Sequence, residues 1–488
     1  MQKNKYAYLL IAIFILVLAL RLYFSFMSPE LATDDAYFTT AHVDKVLDGN
    51  IANFEDDLSY GGRTLLHSPL TYIIFAGLSG GNVHAMNFFS ELALALMVFI
   101  VYLICRDITK SKWAAILGTV IANFTPIFLL QTTNNLTSYS FSIPIIFFMF
   151  YCVMRSDSRK YLITFIVLSF ILPLIHSSAI FMVFALLFYF FILAGGALQA
   201  KRVEKEVMLI SILAMFLMVL ILFKRVLVQF GLDVIWQNIP LGMVFDTFQG
   251  LNIGTLLFGV GVIPLILGLW GLYLGFFREK NKGSYLFSAF ALAILVMLVF
   301  RFIPITTGLV FLAIIFGIMS TFAIKSIILY LHKLNVGSFR TLLIFLLVVF
   351  IPVFVIVSSV VGLTTQEHVD SQTVADMEKI NWMEGDLVVA GNLQEGNLIT
   401  SIAKKKNVVD TNFLLAPKVE ERLSDIDLLY KTGSVAFAMY VINKYGIDII
   451  YLSDQTKEYY GIEDLNYAKE NECFEREGRI YIYTCDKG

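Results

Sequence analysis

The sequence predicts a polytopic α-helical membrane protein whose chain ends in a soluble α/β domain. Of its 488 residues, 58% are hydrophobic and 15% are charged, whereas soluble domains carry about 25% charged residues. The apolar residues form separate runs of roughly 17–25, which is the length of a helix that crosses a bilayer. After Thr364 the composition becomes that of a soluble protein. The net charge of −2 indicates no nucleic-acid partner.

About eleven apolar runs are predicted to be transmembrane helices. The first has no small-residue cleavage site behind it, so we interpret it as a retained helix rather than a signal peptide. The stretch Pro69–Leu78 is too short to span and is predicted to be interfacial or re-entrant. The runs are about 6–26, 86–104, 113–131, 139–154, 161–176, 178–196, 207–224, 254–277, 284–300, 304–324 and 341–363.

Lysine and arginine predict the orientation of these spans. Every second connection is rich in them, beginning with Lys3 and Lys5 before the first span. By the positive-inside rule the N-terminus is cytoplasmic and, with an odd number of spans, the C-terminus is outside. The sequence therefore predicts a multi-pass protein of the cytoplasmic membrane, in contact with its lipids. Residues 1–363 form the membrane domain with a long outer loop, 27–68, and residues 364–488 form an extracytoplasmic domain.

Residues 364–488 alternate between helical and strand patterns, which predicts a small α/β domain with its own core. Cys473 and Cys485 flank a predicted hairpin with Gly478 at its turn. Outside the cytoplasm they would form a disulfide; the alternative is two buried, unpaired thiols. The predicted helices are 370–382, 398–404, 419–431 and 434–444, and the predicted strands are 386–390, 408–409, 447–452 and the arms of 474–484.

Two adjacent aspartates, Asp34 and Asp35, are the leading candidates for a functional group. They lie just after the first span, at a membrane surface where acids are scarce in this chain. A carboxylate there can act as a general base or bind a metal ion. The alternative is a helix cap, because Thr33 or Asp34 before the run 36–47 is a typical N-cap pattern. The two interpretations are compatible.

The first outer loop contains a series of short motifs. They are Asp34-Asp35-Ala36-Tyr37-Phe38, Val46-Leu47-Asp48-Gly49, Gly61-Gly62-Arg63 and His67-Ser68-Pro69-Leu70. Together with the N-in first helix and the many spans, this order resembles the GT-C superfamily of membrane glycosyltransferases, which use polyprenyl-phosphate-linked sugars. The resemblance implies a GT-C-like fold and a hexosyltransferase-type enzyme in which Asp34 or Asp35 acts as base. The predicted reaction transfers a sugar from a polyprenyl-phosphate donor to a lipid, glycan or protein acceptor at the outer face.

The C-terminal domain resembles oligosaccharyltransferase catalytic subunits in layout. The segments that carry this likeness are 386–400, 408–412 and 445–451. In those enzymes a strand leads into a Trp-Trp-Asp-Tyr-Gly motif that recognises the acceptor Ser or Thr, whereas Ala390–Gln394 occupies its place here. A divergent oligosaccharyltransferase is therefore the second hypothesis. A transporter or a non-catalytic assembly protein is the third, although we find few mid-span polar residues and no repeated halves.

Departure of the donor phosphate calls for a cation near the outer face. Arg301, between two apolar runs, is the first candidate because the planar guanidinium donates paired hydrogen bonds to phosphate. It also resembles arginines that bind lipid phosphate in oligosaccharyltransferases; the alternative is a side chain that snorkels to the headgroups. Arg63 and His67 are weaker candidates. His176, in a predicted outer turn, either contacts donor phosphate or is a satisfied polar residue at a helix end.

A divalent metal, Mg²⁺ or Mn²⁺, would require several hard oxygen ligands. Asp34 and Asp35 supply two. The second outer loop, 131–140, contains no acid, whereas the resemblance to metal-dependent oligosaccharyltransferases would place one there. We therefore predict a metal-independent or weakly metal-assisted reaction. The sequence has neither Cys/His zinc spacing nor a glycine-rich nucleotide-phosphate loop.

Overall fold

The computed structural model describes residues 2–50, 55–64, 68–195, 201–237, 239–240, 243, 252–333, 342–344, 346–364, 368–469 and 471–485. Helices make up most of the chain, and a five-stranded sheet lies in its C-terminal part. A separate antiparallel pair, β1 (Glu55–Asp56) and β2 (Arg63–Thr64), lies in the loop after the first helix.

The helices up to Thr364 run in the following order. They are α1 (Gln2–Ser25), α2 (Asp34–Leu47), α3 (Leu70–Ser79), α4 (Val83–Ala95), α5 (Met97–Thr109), α6 (Lys112–Asn123), α7 (Pro126–Thr132), α8 (Tyr139–Met154), α9 (Arg159–Ile175), α10 (Ala179–Ala194), α11 (Arg202–Leu222), α12 (Lys224–Phe230), α13 (Ile253–Val260), α14 (Val262–Leu274), α15 (Lys282–Val299), α16 (Ile305–Lys333) and α17 (Ile351–Thr364). A 3₁₀ segment, Gly231–Trp236, follows α12, and π-helical turns occupy Gly275–Glu279 and Leu346–Phe350.

The prediction of a multi-pass helical membrane protein is confirmed. All eleven predicted runs coincide with helices in the described residues. Within those residues, seven helices are long and apolar enough to cross a membrane, or eight if the bent pair α6–α7 counts as one span. α8 and α10 are shorter, with 16 residues each. The count of eleven spans therefore stays a prediction.

The run 86–104 covers α4 and α5, which continue as one span, Val83–Thr109, whereas two other predicted spans are broken in the structure. The run 113–131 forms α6 and α7, which meet at an angle of 48°, because Pro126 at the first position of α7 has no N–H to continue the helical hydrogen bonds. The run 254–277 forms α13 and α14, which are separated by Gly261 with a φ of +88°. Neither break is visible in hydropathy alone.

The helices pack most closely around α16 through small residues. A Cβ atom added to Gly271 of α14 would overlap the carbonyl oxygen of Met319 in α16, and one added to Gly317 of α16 would overlap the backbone of Ala122 in α6. Close backbone approach of this kind is typical of helix interfaces in membranes, where small residues let the helices meet.

The C-terminal sheet has the strand order β4-β3-β5-β7-β6. Its strands are β3 (Val388–Ala390), β4 (Lys406–Asn407), β5 (Ile449–Tyr451), β6 (Phe474–Glu477) and β7 (Ile480–Tyr483), and its helices are α18 (Ser371–Asn381), α19 (Gly396–Leu398) with a π-helical turn at Ile399–Ala403, α20 (Val419–Lys431), α21 (Val435–Tyr445) and α22 (Asp454–Tyr460). β3 pairs in parallel with β4 and β5, whereas β7 is antiparallel to β5.

The hairpin of β6 and β7 is closed by a disulfide between Cys473 and Cys485. Gly478 lies at its turn with a φ of +67°, a conformation that favours glycine. The strand predicted at 408–409 is wrong by two residues, because the pairing involves Lys406 and Asn407. Val408 and Val409 are buried beyond the end of that strand, and their burial produced the strand-like pattern.

The loop after α1 shares a hydrophobic core with the sheet. Adjacent residues of each strand alternate between the two faces, as strand geometry requires. Val389 and Ile449 pack with α2, α3 and α18, whereas Ala390 and Ile450 pack with α20 and α21. α2 therefore lies between the sheet and the helical bundle, and this position defines the surroundings of Asp34 and Asp35.

Candidate active site

The aspartate pair occupies the first turn of α2, as the cap pattern predicts. The cap itself is Thr33, whose hydroxyl accepts a hydrogen bond from the Ala36 amide at 3.3 Å. Because Thr33 supplies the cap, both carboxylates are available for other partners. The free N–H groups at a helix N-terminus also favour the charged form of nearby acids.

Asp34 is held by the segment that follows β3. Its Oδ2 accepts a hydrogen bond from Asn397 Nδ2 at 2.6 Å, and its Oδ1 accepts one from the Leu398 amide at 3.0 Å. Both oxygens are therefore engaged by α19. This arrangement fixes the carboxylate and ties the start of α2 to the sheet domain.

Asp35 has a different environment. It is exposed to solvent, and its Oδ1 accepts a hydrogen bond from Thr411 Oγ1 at 3.1 Å. Its charge also acts on Tyr72 of α3 and Tyr139 of α8. Asp35 is thus the carboxylate of the pair that faces solvent, next to the ends of two bundle helices.

A buried arginine stabilises the acids behind the pair. Arg63 donates to Asp56 Oδ2 at 3.3 Å, to Asp410 Oδ2 at 3.0 Å and to the carbonyl oxygen of Asn412. Asp56 also pairs with Lys45 at 2.9 Å. This network joins the β1–β2 pair to the residues after β4, and it fixes Thr411 beside the two catalytic candidates.

Negative charge accumulates around Asp34 and Asp35. Burial raises the pKa of Asp34 well above its usual value, and the charges of Asp35 and Asp410 raise that pKa further. Surrounding protein also raises the pKa of Asp35 although one side of the residue meets solvent, and Asp410 adds to this effect. Burial would raise the pKa of Asp56 as well, but Lys45 and Arg63 lower it to about 2. The negative charge of Asp56 is therefore compensated by Lys45 and Arg63, whereas that of Asp34 and Asp35 is not. These two carboxylates bind a proton more readily than an ordinary aspartate.

Polar and aromatic residues line the neighbouring helix ends. The His176 ring lies 4.5 Å from the Tyr139 ring, centroid to centroid, and its Nδ1 accepts a hydrogen bond from the Ser178 amide at 3.0 Å. The Tyr139 hydroxyl lies 3.4 Å from Thr307 Oγ1, in the first turn of α16. His176 and the first turn of α16 therefore both lie against Tyr139.

Arg301 lies in the turn between α15 and α16. It is half-buried, and its φ of +56° is uncommon for a residue other than glycine. Its carbonyl oxygen accepts a hydrogen bond from Trp236 Nε1 at 3.0 Å. The turn leads directly to Thr307, so Arg301 is on the chain segment that enters the Tyr139–His176 region.

Comparisons with known proteins agree with this architecture. A family model described as a domain of unknown function, DUF6311, matches residues 68–233, and none of the curated proteins matches the sequence. The Archaeoglobus fulgidus oligosaccharyltransferase superposes with a TM-score of 0.73 at 11% identity, over 94% of this chain and 72% of that one. ArnT from Cupriavidus metallidurans gives a TM-score of 0.59 at 12% identity, over 99% and 98% of the two chains. The mycobacterial arabinofuranosyltransferase AftD gives 0.54 at 12% identity, over 90% and 34%.

The chain has the GT-C fold. The likeness extends over both the helical bundle and the sheet-containing part, since the match to ArnT covers nearly all of both chains. The GT-C fold predicted from the first loop and the C-terminal layout is thereby confirmed.

Arg63 and His67 were the weaker candidates for binding the donor phosphate. Arg63 is buried and paired with two carboxylates. These contacts explain it as a structural residue, and its role as a ligand of the donor phosphate stays a prediction. His67 lies outside the described residues. The His176 ring lies against Tyr139, and Arg301 lies in the turn before α16; both stay predicted ligands of the donor phosphate.

The residues around the pair do not form a metal site. Within the described ranges, no three His, Cys, Asp or Glu side chains are arranged to hold a metal ion. Asp34 already accepts two hydrogen bonds from protein donors, and Asp410 is paired with Arg63. Asp35 accepts one hydrogen bond, from Thr411. We assign no step to Mg²⁺ or Mn²⁺, and the predicted metal independence stays a prediction.

Two residues that contact the pair, Asn397 and Thr411, were not among the predicted site residues. Asn397 follows β3 and Thr411 follows β4, and these strands are parallel. Their carboxyl ends therefore lie at one edge of the sheet, where polar residues gather into sites in folds of this kind. That strand-end rule is the signal that would have identified them.

Proposed function

We propose that this protein is a membrane glycosyltransferase that transfers a sugar from a polyprenyl-phosphate donor to an acceptor, with Asp35 as the general base. The observation that carries the proposal is the unequal pair at the start of α2. One carboxylate, Asp34, is fixed by protein donors, and the next, Asp35, faces solvent. The reaction would take place at the outer face of the membrane.

The two aspartates have different roles in this proposal. Asp35 accepts a proton from the acceptor hydroxyl as that oxygen attacks the anomeric carbon of the donor sugar. The bond between that carbon and the phosphate oxygen breaks, and the phosphate leaves with the bonding electrons. Asp34 positions the turn through its two hydrogen bonds, whereas burial and then the charge of Asp410 raise the pKa of Asp35. A raised pKa suits a base, because the best proton acceptors have pKa values near the working pH.

The donor phosphate requires positive charge, which we assign to Arg301. Its guanidinium suits phosphate oxygens, and its segment leads to the region of Tyr139 and His176. The choice of a polyprenyl phosphate is supported by the structural neighbours: ArnT is known bound to undecaprenyl phosphate, and the archaeal enzyme AglB is known with a dolichol-phosphate and an inhibitory peptide.

The acceptor is proposed to be a lipid or glycan rather than a peptide sequon. The residue that follows the segment in the place of the Trp-Trp-Asp-Tyr-Gly motif, Glu395, is engaged by other groups of the protein. Glu395 is buried and accepts hydrogen bonds from the Asn392 amide at 3.0 Å and from Thr456 Oγ1 at 3.1 Å, and it also contacts Ser453. Protein glycosylation is the second candidate, favoured by the TM-score of 0.73 with an oligosaccharyltransferase.

Separate Asp35→Asn and Asp34→Asn substitutions test the proposal. In membranes supplied with a labelled hexose on undecaprenyl or dolichyl phosphate, Asp35→Asn should lower kcat by about 10²- to 10⁴-fold, which is the usual contribution of a general base. Asp34→Asn should have a smaller effect, because the amide can still accept a hydrogen bond from Leu398 but turns its own N–H₂ toward Asn397.

Asp57→Asn is the matched control, because Asp57 is an exposed acid of the same loop. It should leave transfer unchanged. Full activity of both Asp34→Asn and Asp35→Asn, in protein that remains folded, would rule out the assignment of the pair as the catalytic acids.

A further inference from the structure

An ion pair lies buried inside the helical bundle, away from the acids of the proposed site. Arg21 of α1 and Glu91 of α4 are both fully buried, with Nε and Oε2 3.1 Å apart. The Arg21 guanidinium also donates to Thr132 Oγ1 at 2.6 Å and to Thr133 Oγ1 at 3.3 Å. Buried charges in a membrane span are costly and rare, so their presence points to a role beyond packing.

The pair fixes the short connection between α7 and α8. Glu91 Oε1 accepts a hydrogen bond from the Asn134 amide at 2.8 Å, and Asn87 Nδ2, one turn earlier on α4, donates to Asn134 Oδ1 at 2.8 Å. Asn134 has a φ of +54°, a conformation that asparagine adopts more readily than most residues. Arg21, Glu91 and Asn87 therefore hold both the backbone and the side chain of Asn134.

Asn134 and its neighbour in turn hold the residues that precede the acid pair. The backbone carbonyl oxygen of Asn134 accepts a hydrogen bond from the Ala32 amide at 3.0 Å. The side-chain Nδ2 of Asn134 donates to the Glu30 carbonyl oxygen at 2.8 Å. Asn135 Oδ1 accepts a hydrogen bond from Thr33 Oγ1 at 2.9 Å. Since Thr33 caps α2, the chain of contacts runs without a gap from the bundle interior to the turn that carries Asp34 and Asp35.

We propose that Glu91 and Asn134 are positioning residues for sugar transfer: through residues 30–33 they set the location of the Asp35 carboxylate. The inference rests on the proposed function of Asp35. In this protein the second outer loop contributes no acid to the site and instead holds the first loop in place with amide and carbonyl groups.

The test compares two variants that both lack the buried ion pair. In an Arg21→Met background, Glu91→Gln keeps an oxygen that accepts the Asn134 amide, whereas Glu91→Leu has similar size and no acceptor. Replacing Arg21 in both avoids an unpaired buried charge. The variants therefore differ in whether residue 91 offers an acceptor to the Asn134 amide, which is the first hydrogen bond in the series from Glu91 to Thr33.

The Leu variant should lose up to about 100-fold in kcat relative to the Gln variant, because a small misplacement of a catalytic group has effects of that size. The KM for the labelled undecaprenyl-phosphate hexose should be equal in the two, since the donor-binding residues are unchanged. Hydrogen exchange provides a readout independent of activity: amides 30–36 should exchange faster in the Leu variant, while those of the sheet should not change.

Asn134→Gly gives a second, milder perturbation. Glycine keeps the positive φ and both backbone hydrogen bonds but removes the contacts to Glu30 and Asn87, so kcat should fall less than in the Leu variant. Equal kcat and equal exchange in the Leu and Gln variants would overturn the inference. If Asp35→Asn is measured alongside and remains active, the proposed function fails instead, while the exchange comparison still reports whether Glu91 and Asn134 hold the loop.

Discussion

Arg63→Met separates a structural arginine from a phosphate-binding one. Methionine keeps the aliphatic bulk that packs near Tyr60, whose ring lies 4.9 Å from the guanidinium carbon. It removes every hydrogen bond that Arg63 makes to Asp56, Asp410 and the Asn412 carbonyl oxygen. The expected effect is therefore on stability and on the geometry around Thr411.

The contacts set the size of this effect. Removing one partner of a buried ion pair typically costs about 3–5 kcal/mol. Asp56 keeps Lys45 at 2.9 Å, so the unpaired charge falls mainly on Asp410, which is fully buried. Asp410 can also take up a proton, and burial already raises its pKa. We therefore expect a loss near the lower end of that range, about 3 kcal/mol.

Thermal unfolding of the detergent-solubilised protein measures this loss, with Arg63→Met/Asp410→Asn as the companion variant. Because the double variant leaves no unpaired charge at residue 410, it should recover much of the lost melting temperature. The KM for a labelled undecaprenyl-phosphate hexose should be similar in the wild type and the double variant. A wild-type melting temperature for Arg63→Met together with a raised KM would refute the structural role and restore Arg63 as a phosphate ligand.

Two further predictions follow from the site and the bundle. Asp35 must be deprotonated to act as a base, so kcat/KM should rise as pH rises through the pKa of Asp35. The charged groups near Asp35 are Asp34 and Asp410, and Arg63 pairs with Asp410. Asp410→Asn removes one negative charge that raises the pKa of Asp35, so the acidic limb of the kcat/KM profile should move to lower pH, and a shift to higher pH would contradict this account. Gly271→Ala should lower stability by about 1–3 kcal/mol because the added methyl group overlaps α16, whereas Gly77→Ala, with open space around its Cβ position, should preserve the melting temperature.

The fold could be predicted largely because membrane-spanning helices are recognisable from the length and composition of apolar runs. Apolar runs of the required length are rare outside bilayers, and the helices coincide with them. The break at Gly261 could not be predicted, because it depends on backbone packing rather than hydropathy. Strand positions in the C-terminal part were recovered to within two residues, since Val408 and Val409 are buried like strand residues without pairing.

The site was predictable only in part. The aspartate pair could be named as the leading candidate because acids are scarce near membrane spans in this chain. The two acids differ in their contacts because Asn397 binds Asp34, which is 363 residues away in sequence, and no local pattern predicts such a contact. The pairing of Arg63 with carboxylates was not predicted for the same reason, because its partner Asp410 is 347 residues away. Arg21 and Glu91 were overlooked, although opposite charges in the first two long apolar helices are a recognisable sign of a buried pair.

The contacts of Asp34 indicate what the C-terminal domain contributes to the candidate active site. Both oxygens of this carboxylate accept hydrogen bonds from Asn397 and Leu398, and Asp35 accepts one from Thr411, so the sheet domain provides direct neighbours of both acids. The bundle holds the same turn from the other side through Asn134. A helix start fixed from two sides has little freedom to move when substrates bind, which favours a preorganised base. The sheet domain is thus part of the catalytic apparatus in our proposal, and its removal should abolish transfer even if the membrane helices remain folded.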